Sequence, residues 1–166
     1  MRELIRLMYA YDNWANQRLL DACAHLTQEE FLAGEGYANA NPSIRDTLVH
    51  MLGAHEVWVS RFGGVSPTQI LQPKDFGTLA LIRQYWNEVE THTQGYVNRV
   101  EEDTLKQTLT YRNLSFKPFS YPRWQVMMHL VNHNTQHRSE LALLLTRLGY
   151  SPGDLDLLDY IGTLRP

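Results

Sequence analysis

The sequence predicts an all-α protein built as a four-helix bundle, and three observations lead to this fold class. Apolar residues recur at spacings of three and four along most of the chain, which is the period of an amphipathic helix. Glycine, proline and capping residues divide this pattern into four long segments. The chain has 166 residues, 43% apolar and 20% charged, which suits one globular domain over residues 1–166. The alternative is another all-α packing of the same helices.

The first predicted helix covers residues 2–26, and a capped second long helix follows it. Thr27, with Glu30 three residues later, fits a capping box that starts a short helical turn between the two. Ser43 is the predicted N-cap of the second long helix, which ends at Phe62 before two glycines. The predicted buried stripe of the first helix has apolar residues at helical spacing: Leu4, Leu7, Met8, Tyr11, Trp14, Ala15, Ala22 and Leu26.

Two further long helices are predicted in the second half of the chain. One covers about residues 78–100, after a connection that contains glycine and proline. The other follows Pro122 and ends at Leu148, where glycine and proline return. Between them, residues 104–120 mix aromatic side chains with Thr, Asn and Pro, which favours a short hairpin or an extended crossover. The tail, residues 154–160, is expected to add one more short helix.

Charge and composition exclude several classes of protein. A net charge of −3 leaves no basic surface for nucleic acid, and the longest unbroken apolar run, residues 141–145, is too short for a membrane span. The first residues lack the apolar core of a secretory signal, so we expect a cytoplasmic protein. A single cysteine, Cys23, excludes an internal disulfide and a cysteine-based zinc site. Its place near the apolar side of the first helix predicts a buried, unreactive thiol.

Three of the seven histidines lie on the last long helix at a spacing of four: His129, His133 and His137. Residues four apart face the same side of a helix, so each adjacent pair can converge on one ion. His129 and His137 are turned about 80° apart, so one pair is the economical site. The apolar stripe favours His133 and His137, which leaves His129 as an outer or pocket group. Buried imidazoles need partners for their ring nitrogens, and a metal ion or ordinary hydrogen bonds would both supply them.

A catalytic site with three histidines needs a ligand from another helix, and the second long helix offers His50 and His55. His55 lies on the main apolar stripe of that helix, whereas His50 is turned about 140° away from it. The helix is apolar on more than one face, so both histidines can be buried and both remain candidates. No glutamate has a histidine three residues later, which excludes a ferritin-like di-iron site, and the HExxH motif of zinc proteases is absent.

Four blocks of sequence share their pattern and order with one known protein family. Residues 11–20, YDNWANQRLL, follow the pattern Y-x-x-W-A-N-x-x-L-L. Residues 43–50, SIRDTLVH, end in a histidine, and Trp58 and Arg61 follow downstream. Residues 129–138, HLVNHNTQHR, follow the pattern H-x-x-N-H-x-x-x-H-R, and the C-terminal tail also matches. Together these blocks cover nearly the whole chain. On this pattern the chain resembles the DinB/YfiT-like family of metal-dependent enzymes.

This resemblance implies a fold, a metal site and an assembly. The fold is an up-down-down-up four-helix bundle, to which the extended crossover predicted above is added, and it often forms a homodimer. The site is one divalent ion, zinc or nickel or else iron, held by His50, His133 and His137. The resemblance therefore favours His50 over His55, against the apolar periodicity. His55 and His129 remain as alternative or outer ligands.

The function that follows from this resemblance is a metal-dependent transfer of a small thiol to an electrophilic substrate, in detoxification or stress response. A divalent ion on three imidazoles keeps an open position and deprotonates a bound thiol or water. The alternatives are a metal-dependent hydrolase and a non-catalytic, stress-induced metal-binding protein. Arg61 or Arg138 could bind the carboxylate of the thiol, although a salt bridge is the more common role of such arginines. Ser139 and Glu140 depart from the Gly-Gln pair usual in the family.

Overall fold

The computed structural model describes residues 1–34 and 43–165, and this part of the chain is mostly helical, as predicted. It contains seven α-helices and one antiparallel hairpin. Along the chain they are α1 (Arg2–Cys23), α2 (Gln28–Leu32), α3 (Ile44–Phe62), α4 (Leu79–Arg99), α5 (Glu102–Lys106), β1 (Thr108–Arg112), β2 (Pro118–Pro122), α6 (Arg123–Arg147) and α7 (Leu157–Thr163). None of the described helices is long and apolar enough to cross a membrane.

The helix boundaries follow from capping residues that the sequence displays. The side chains of Ser43 and Thr78 each accept a hydrogen bond from a backbone N–H three residues later, at the starts of α3 and α4. Thr27 and Glu30 form both hydrogen bonds of the predicted capping box at α2. Gly149 follows α6 with a φ of 88°, a left-handed conformation that glycine adopts without steric cost. The predicted starts of α2, α3 and α4 and the predicted end of α6 are confirmed.

The segment before α6 is a hairpin, which decides between the two predicted alternatives. Thr108 of β1 pairs with Pro122 of β2, and Arg112 pairs with Pro118. The short helix α5 precedes this hairpin and was not expected from the sequence. It is tied to the start of the chain, because the backbone N–H of Arg2 donates a 2.9 Å hydrogen bond to a Glu102 carboxylate oxygen.

The buried face of α1 differs from the predicted stripe. Tyr11, Ala15 and Ala22 are buried as expected, but Leu4 is 54% exposed. The helix also ends at Cys23 instead of continuing to residue 26. The predicted stripe was partly wrong because it counted only apolar residues, whereas the buried face of α1 also includes the polar side chains of Asp12 and Asn16. The buried positions at helical spacing are Ile5, Tyr9, Asp12, Asn16, Leu19 and Cys23.

The long helices enclose two apolar clusters with a polar layer between them. Helices α1 and α3 each pack against both α4 and α6. One cluster contains Leu20, Leu48, Trp86 and Leu141, among others, and a second contains Tyr9, Phe62, Val97, Met127 and Leu130. In each of these helices, buried polar residues fall between the two clusters: Asp12, Asn16, His55, Glu90, Thr93, Asn134, His137 and Arg138. A polar layer inside the core is costly unless its groups find partners, so it is the first place to look for a site.

Candidate metal centre

Helices α3 and α6 bring three histidines together at this layer. His133 and His137 lie one turn apart on α6, and His50 reaches them from α3. The Nε2 atoms of His50 and His133 lie 3.1 Å apart. One ring nitrogen from each of the three side chains lies within 4.8 Å of the others, and no other group of His, Cys, Asp or Glu in the described residues meets this criterion. These three residues, called the histidine centre below, could hold one metal ion.

The donor chemistry of the histidine centre suits a divalent ion. Burial is the main cause that lowers the pKa of His133 to about 4, and the neighbouring histidines lower it further. Burial followed by the proximity of His137 lowers the pKa of His50 as well. Both imidazoles are therefore neutral at pH 7, which is the form that binds metal. Ring nitrogens this close together can share a divalent cation, to which each imidazole offers one lone pair.

Glu140 orients one of these rings. Nδ1 of His137 lies 2.8 Å from a carboxylate oxygen of Glu140, one turn further along α6. When Nδ1–H donates to this oxygen, the lone pair of Nε2 is left to face the histidine centre. A carboxylate behind a histidine ligand is the usual arrangement that fixes its tautomer and raises its basicity. In the sequence, Glu140 was noted only as a departure from the family pattern. Its position three residues after His137 could have predicted this contact, because such residues are neighbours on a helix.

On a neighbouring face of α6, turned about 100° from the histidines, a buried polar network ties this helix to α1. Asp12 accepts hydrogen bonds from Nδ2 of Asn134 at 2.7 Å and Nδ2 of Asn16 at 3.1 Å, and it forms an ion pair with Arg138. All four side chains, called the Asp12 network below, are at most 2% exposed. Arg138 therefore has the interhelical salt bridge that was the alternative to a substrate role. Sequence reasoning missed Asp12 and Asn16, whose spacing of four inside an apolar stripe was the available signal.

His55 lies outside the histidine centre and faces α4. Its Nε2 is 3.0 Å from the hydroxyl of Thr93 and 4.0 Å from a carboxylate oxygen of Glu90. Burial lowers the pKa of His55 and raises the pKa of Glu90 to about 7. The apolar periodicity correctly placed His55 in the core. It did not indicate which neighbouring helix His55 meets, and His50 is the histidine of α3 that faces α6.

His129 and Arg61 belong to an aromatic region beside the histidine centre. The ring of His129 packs edge-on against Trp58 at 5.5 Å and lies 6.1 Å from the ring of His133. The guanidinium of Arg61 lies 4.5 Å from the ring centres of both Trp58 and Tyr111 and donates a hydrogen bond to a backbone carbonyl of β1. His129 therefore lies between this aromatic region and the histidine centre. Arg61 stands behind the aromatic rings, where it stabilises them by cation–π contact.

Cys23 lies in an apolar cluster and is 2% exposed. Burial raises the pKa of its thiol to about 12, so the thiolate is not available at pH 7. The prediction that Cys23 is a buried small side chain is confirmed. Cys23 is therefore not a candidate nucleophile.

Comparison with known proteins places these features in a wider context. The model of the family described as "DinB family" matches residues 1–163. Among curated proteins, "Protein DinB" of Bacillus subtilis (strain 168) is 23% identical over 154 residues. This alignment covers 90% of the present chain and 88% of the Bacillus protein. The similarity therefore extends over both the α3 and the α6 contributions to the histidine centre.

Proposed function

The chain belongs to the DinB family, and we propose that it is a metal-dependent enzyme that transfers a low-molecular-weight thiol to an electrophilic substrate. The observation that carries this proposal is the convergence of His50, His133 and His137 at the junction of α3 and α6. The bound metal is proposed to be zinc or nickel, with iron as the alternative, because imidazole nitrogen suits all three.

The donor set favours a catalytic over a purely structural ion. Three neutral imidazoles leave both charges of a divalent ion uncompensated, and no fourth His, Cys, Asp or Glu ligand joins the group among the described residues. Three protein ligands with an open position are typical of catalytic sites, whereas structural sites use four. When bound there, a divalent ion supplies the positive charge that deprotonates a thiol or water.

The protein's own side chains would position the reactants. The histidine centre holds the ion, and Glu140 fixes the ring of His137. The Asp12 network holds the same segment of α6 against α1. In the transfer step, sulfur forms a bond to the electrophilic carbon while the bond to the leaving group breaks. The leaving group departs with the electron pair, and the thiol proton passes to solvent. Because Cys23 is buried, the thiol is a substrate and not part of the protein.

Metal analysis tests the first half of this proposal. Protein purified without a nickel column should contain about one divalent ion per chain, measured by inductively coupled plasma mass spectrometry. A variant with His133→Ala and His137→Ala should contain none, whereas His25→Ala, an exposed histidine that stacks on Tyr150, should be unchanged. Absence of metal from gently purified protein would contradict the whole proposal.

An activity screen tests the second half. Small thiols are combined with electrophilic acceptors, and transfer should disappear on complete removal of the metal and return when it is restored. Activity that survives metal removal would contradict metal activation of the thiol. Ester or amide hydrolysis without transfer would favour the hydrolase alternative. Bound metal with no turnover of any substrate would favour the non-catalytic alternative.

We also propose that the four long helices form an up-down-down-up bundle within one domain, residues 1–166. Support comes from the contacts along each pair of helices. They run in the same direction along both helices for α1 with α6 and for α3 with α4, so these pairs are parallel. They run in opposite directions for α1 with α4 and for α3 with α6, so these pairs are antiparallel. The contacts are Tyr9 with Met127 and Asp12 with Arg138, Glu56 with Tyr85 and Phe62 with Tyr96, Arg2 with Asn98 and Asp21 with Arg83, and His50 with His133 and Trp58 with His129. A homodimer is the further expectation from the family resemblance, and light scattering in solution tests it.

A further inference from the structure

A cavity of about 250 Å³ opens beside the histidine centre, between α3, the hairpin and α6. Four of its six lining residues carry aromatic or imidazole rings. The lining residues are Trp58, Tyr111, Tyr121, Gln125, Val126 and His129. Its volume lies just below the usual range for ligand pockets, about 300–1,000 Å³, so it suits a small molecule with one substituted ring. It is called the aromatic cavity below.

The walls of the aromatic cavity are held in place from behind. Tyr111 packs edge-on against Trp58 at 5.0 Å and stacks on Phe119 at 5.7 Å. The guanidinium of Arg61 lies 4.5 Å from the ring centres of both Trp58 and Tyr111. Trp58 and Arg61 are buried, so these rings have little freedom to collapse into the cavity. The side of the cavity formed by Trp58 and Tyr111 is therefore preformed, which reduces the entropy lost when a ligand binds against it.

His129 connects the aromatic cavity to the histidine centre. Its ring lies 5.5 Å from the ring of Trp58, which is a wall of the cavity, and 6.1 Å from the ring of His133, which belongs to the centre. A ligand in the cavity would therefore be separated from the centre by the width of one imidazole ring. The two sites are therefore adjacent, and a two-substrate reaction needs its reactants in adjacent sites.

The lining indicates the chemical class of the ligand. Among the described residues, the lining carries no carboxylate, ammonium or guanidinium group, and its polar groups are two phenol hydroxyls, one amide, one imidazole and one indole N–H. A neutral ligand is therefore favoured over an ion. The faces of Trp and Tyr rings are electron-rich, so they bind an electron-poor ring better than an electron-rich one.

We propose that the aromatic cavity binds the acceptor substrate and that this acceptor is a neutral, electron-poor aromatic electrophile, such as a halogenated nitroarene. The inference rests on the proposed thiol transfer and adds the class of the acceptor. In the reaction, the sulfur of the thiol forms a bond to the ring carbon that carries the halogen. The carbon–halogen bond breaks, halide leaves with the electron pair, and the thiol proton passes to solvent.

Binding is tested first, with metal-free protein and the unreactive probe 1,3-dinitrobenzene in a calorimeter. The exposed Gln125 is replaced by Trp to fill the cavity from its rim without changing the core. We expect saturable binding to the original chain and at least tenfold weaker binding to Gln125→Trp. Tyr150→Ala, in a separate surface pocket with Arg18 and His25, is the control and should bind the probe normally. Equal binding to Gln125→Trp, or equal binding of cyclohexane carboxamide in place of the arene, would overturn the inference.

Kinetics then separate the inference from the proposed function. With a thiol in excess, Gln125→Trp should raise the KM for 1-chloro-2,4-dinitrobenzene at least tenfold, and should raise the KM for iodoacetamide, a small acceptor without a ring, by a smaller factor. Equal effects on both acceptors would overturn the aromatic assignment while leaving thiol transfer intact. If no thiol transfer occurs at all, the proposed function fails, and retained arene binding that Gln125→Trp abolishes would still support the cavity as an aryl-binding site.

Discussion

The two sides of one segment of α6, residues 133–138, bury polar groups in different ways. Toward α1 lies the Asp12 network, in which a carboxylate faces a guanidinium and two amides. Toward α3 lies the histidine centre, in which three imidazole rings face one another. The first region pairs donors with acceptors from within the chain. The second places groups of one kind together, and these groups could hold one metal ion.

This difference predicts opposite responses to mutation. In the Asp12 network, loss of one member leaves a charge buried without its partner, so the folded state itself is destabilised. In the histidine centre, loss of one ring removes a ligand that the folded chain does not need, and the effect appears only when metal is present. The polar layer is thus divided into a part that holds the helices and a part that remains available for chemistry.

The largest effect is expected for Asp12→Ala. Removal of the carboxylate leaves the guanidinium of Arg138 buried at 2% exposure without its counter-ion. Loss of one partner of a buried ion pair costs about 3–5 kcal/mol, which denaturant unfolding of metal-free protein will measure. Asp21→Ala removes the exposed ion pair with Arg83 and should cost no more than about 1 kcal/mol. Equal losses in the two variants would contradict a structural role of the Asp12 network.

Glu90 provides a third case in the same layer and a dependence on pH. Burial raises the pKa of Glu90 from 4.5 to about 7 in the folded chain. Relative to a high pH, the folded state is therefore stabilised by protonated Glu90. This contribution is fully present below pH 4.5 and is lost as the pH rises through 7. Glu90→Gln removes the titration, so the stability of the variant relative to the original chain should increase between pH 4.5 and 8, by at most roughly 3 kcal/mol.

Urea unfolding at several pH values measures this difference. Glu88→Gln, an exposed neighbour on α4, serves as the matched control and should show no such trend. A constant stability difference between Glu90→Gln and the original chain across this pH range would show that Glu90 titrates near its ordinary pKa.

For the histidine centre, the expected effect depends on metal. At a free metal concentration of 100 times the dissociation constant, binding should stabilise the original chain by about 2.7 kcal/mol. His50→Ala should abolish this gain, whereas His129→Ala, which lies outside the centre, should retain it. Thermal unfolding with and without metal provides the measurement. A complete loss in His129→Ala with full retention in His50→Ala would exchange the roles assigned to these two residues.

The fold was predictable where local chemistry decides it, and the site was predictable only in part. Capping residues such as Ser43 and Thr27 act within one turn, so the starts of α2 and α3 could be read from the sequence. The spacing of His133 and His137 also acts within one helix. The choice of His50 needed the family resemblance, because α3 is buried on two sides and periodicity cannot tell which neighbour a side chain meets. Asp12 was missed because its charge partner is 126 residues away along the chain.

The smallest effect is expected for Glu140→Gln, which leaves the three rings in place and changes only the group behind one of them. The amide can still accept a hydrogen bond from Nδ1 of His137, but it lacks the negative charge that increases the basicity of the ring. Loss of such an outer carboxylate typically weakens metal binding 10–100-fold, about 1.4–2.7 kcal/mol. Competition with a chelator will measure the dissociation constant, and Ser139→Ala, at the adjacent exposed position, is the control that should leave it unchanged. Glutamine is the usual residue of the family at this position, so binding should weaken without being abolished. An unchanged dissociation constant in Glu140→Gln would show that the carboxylate acts only on the position of the ring, and that its negative charge does not increase the affinity of the histidine centre for metal.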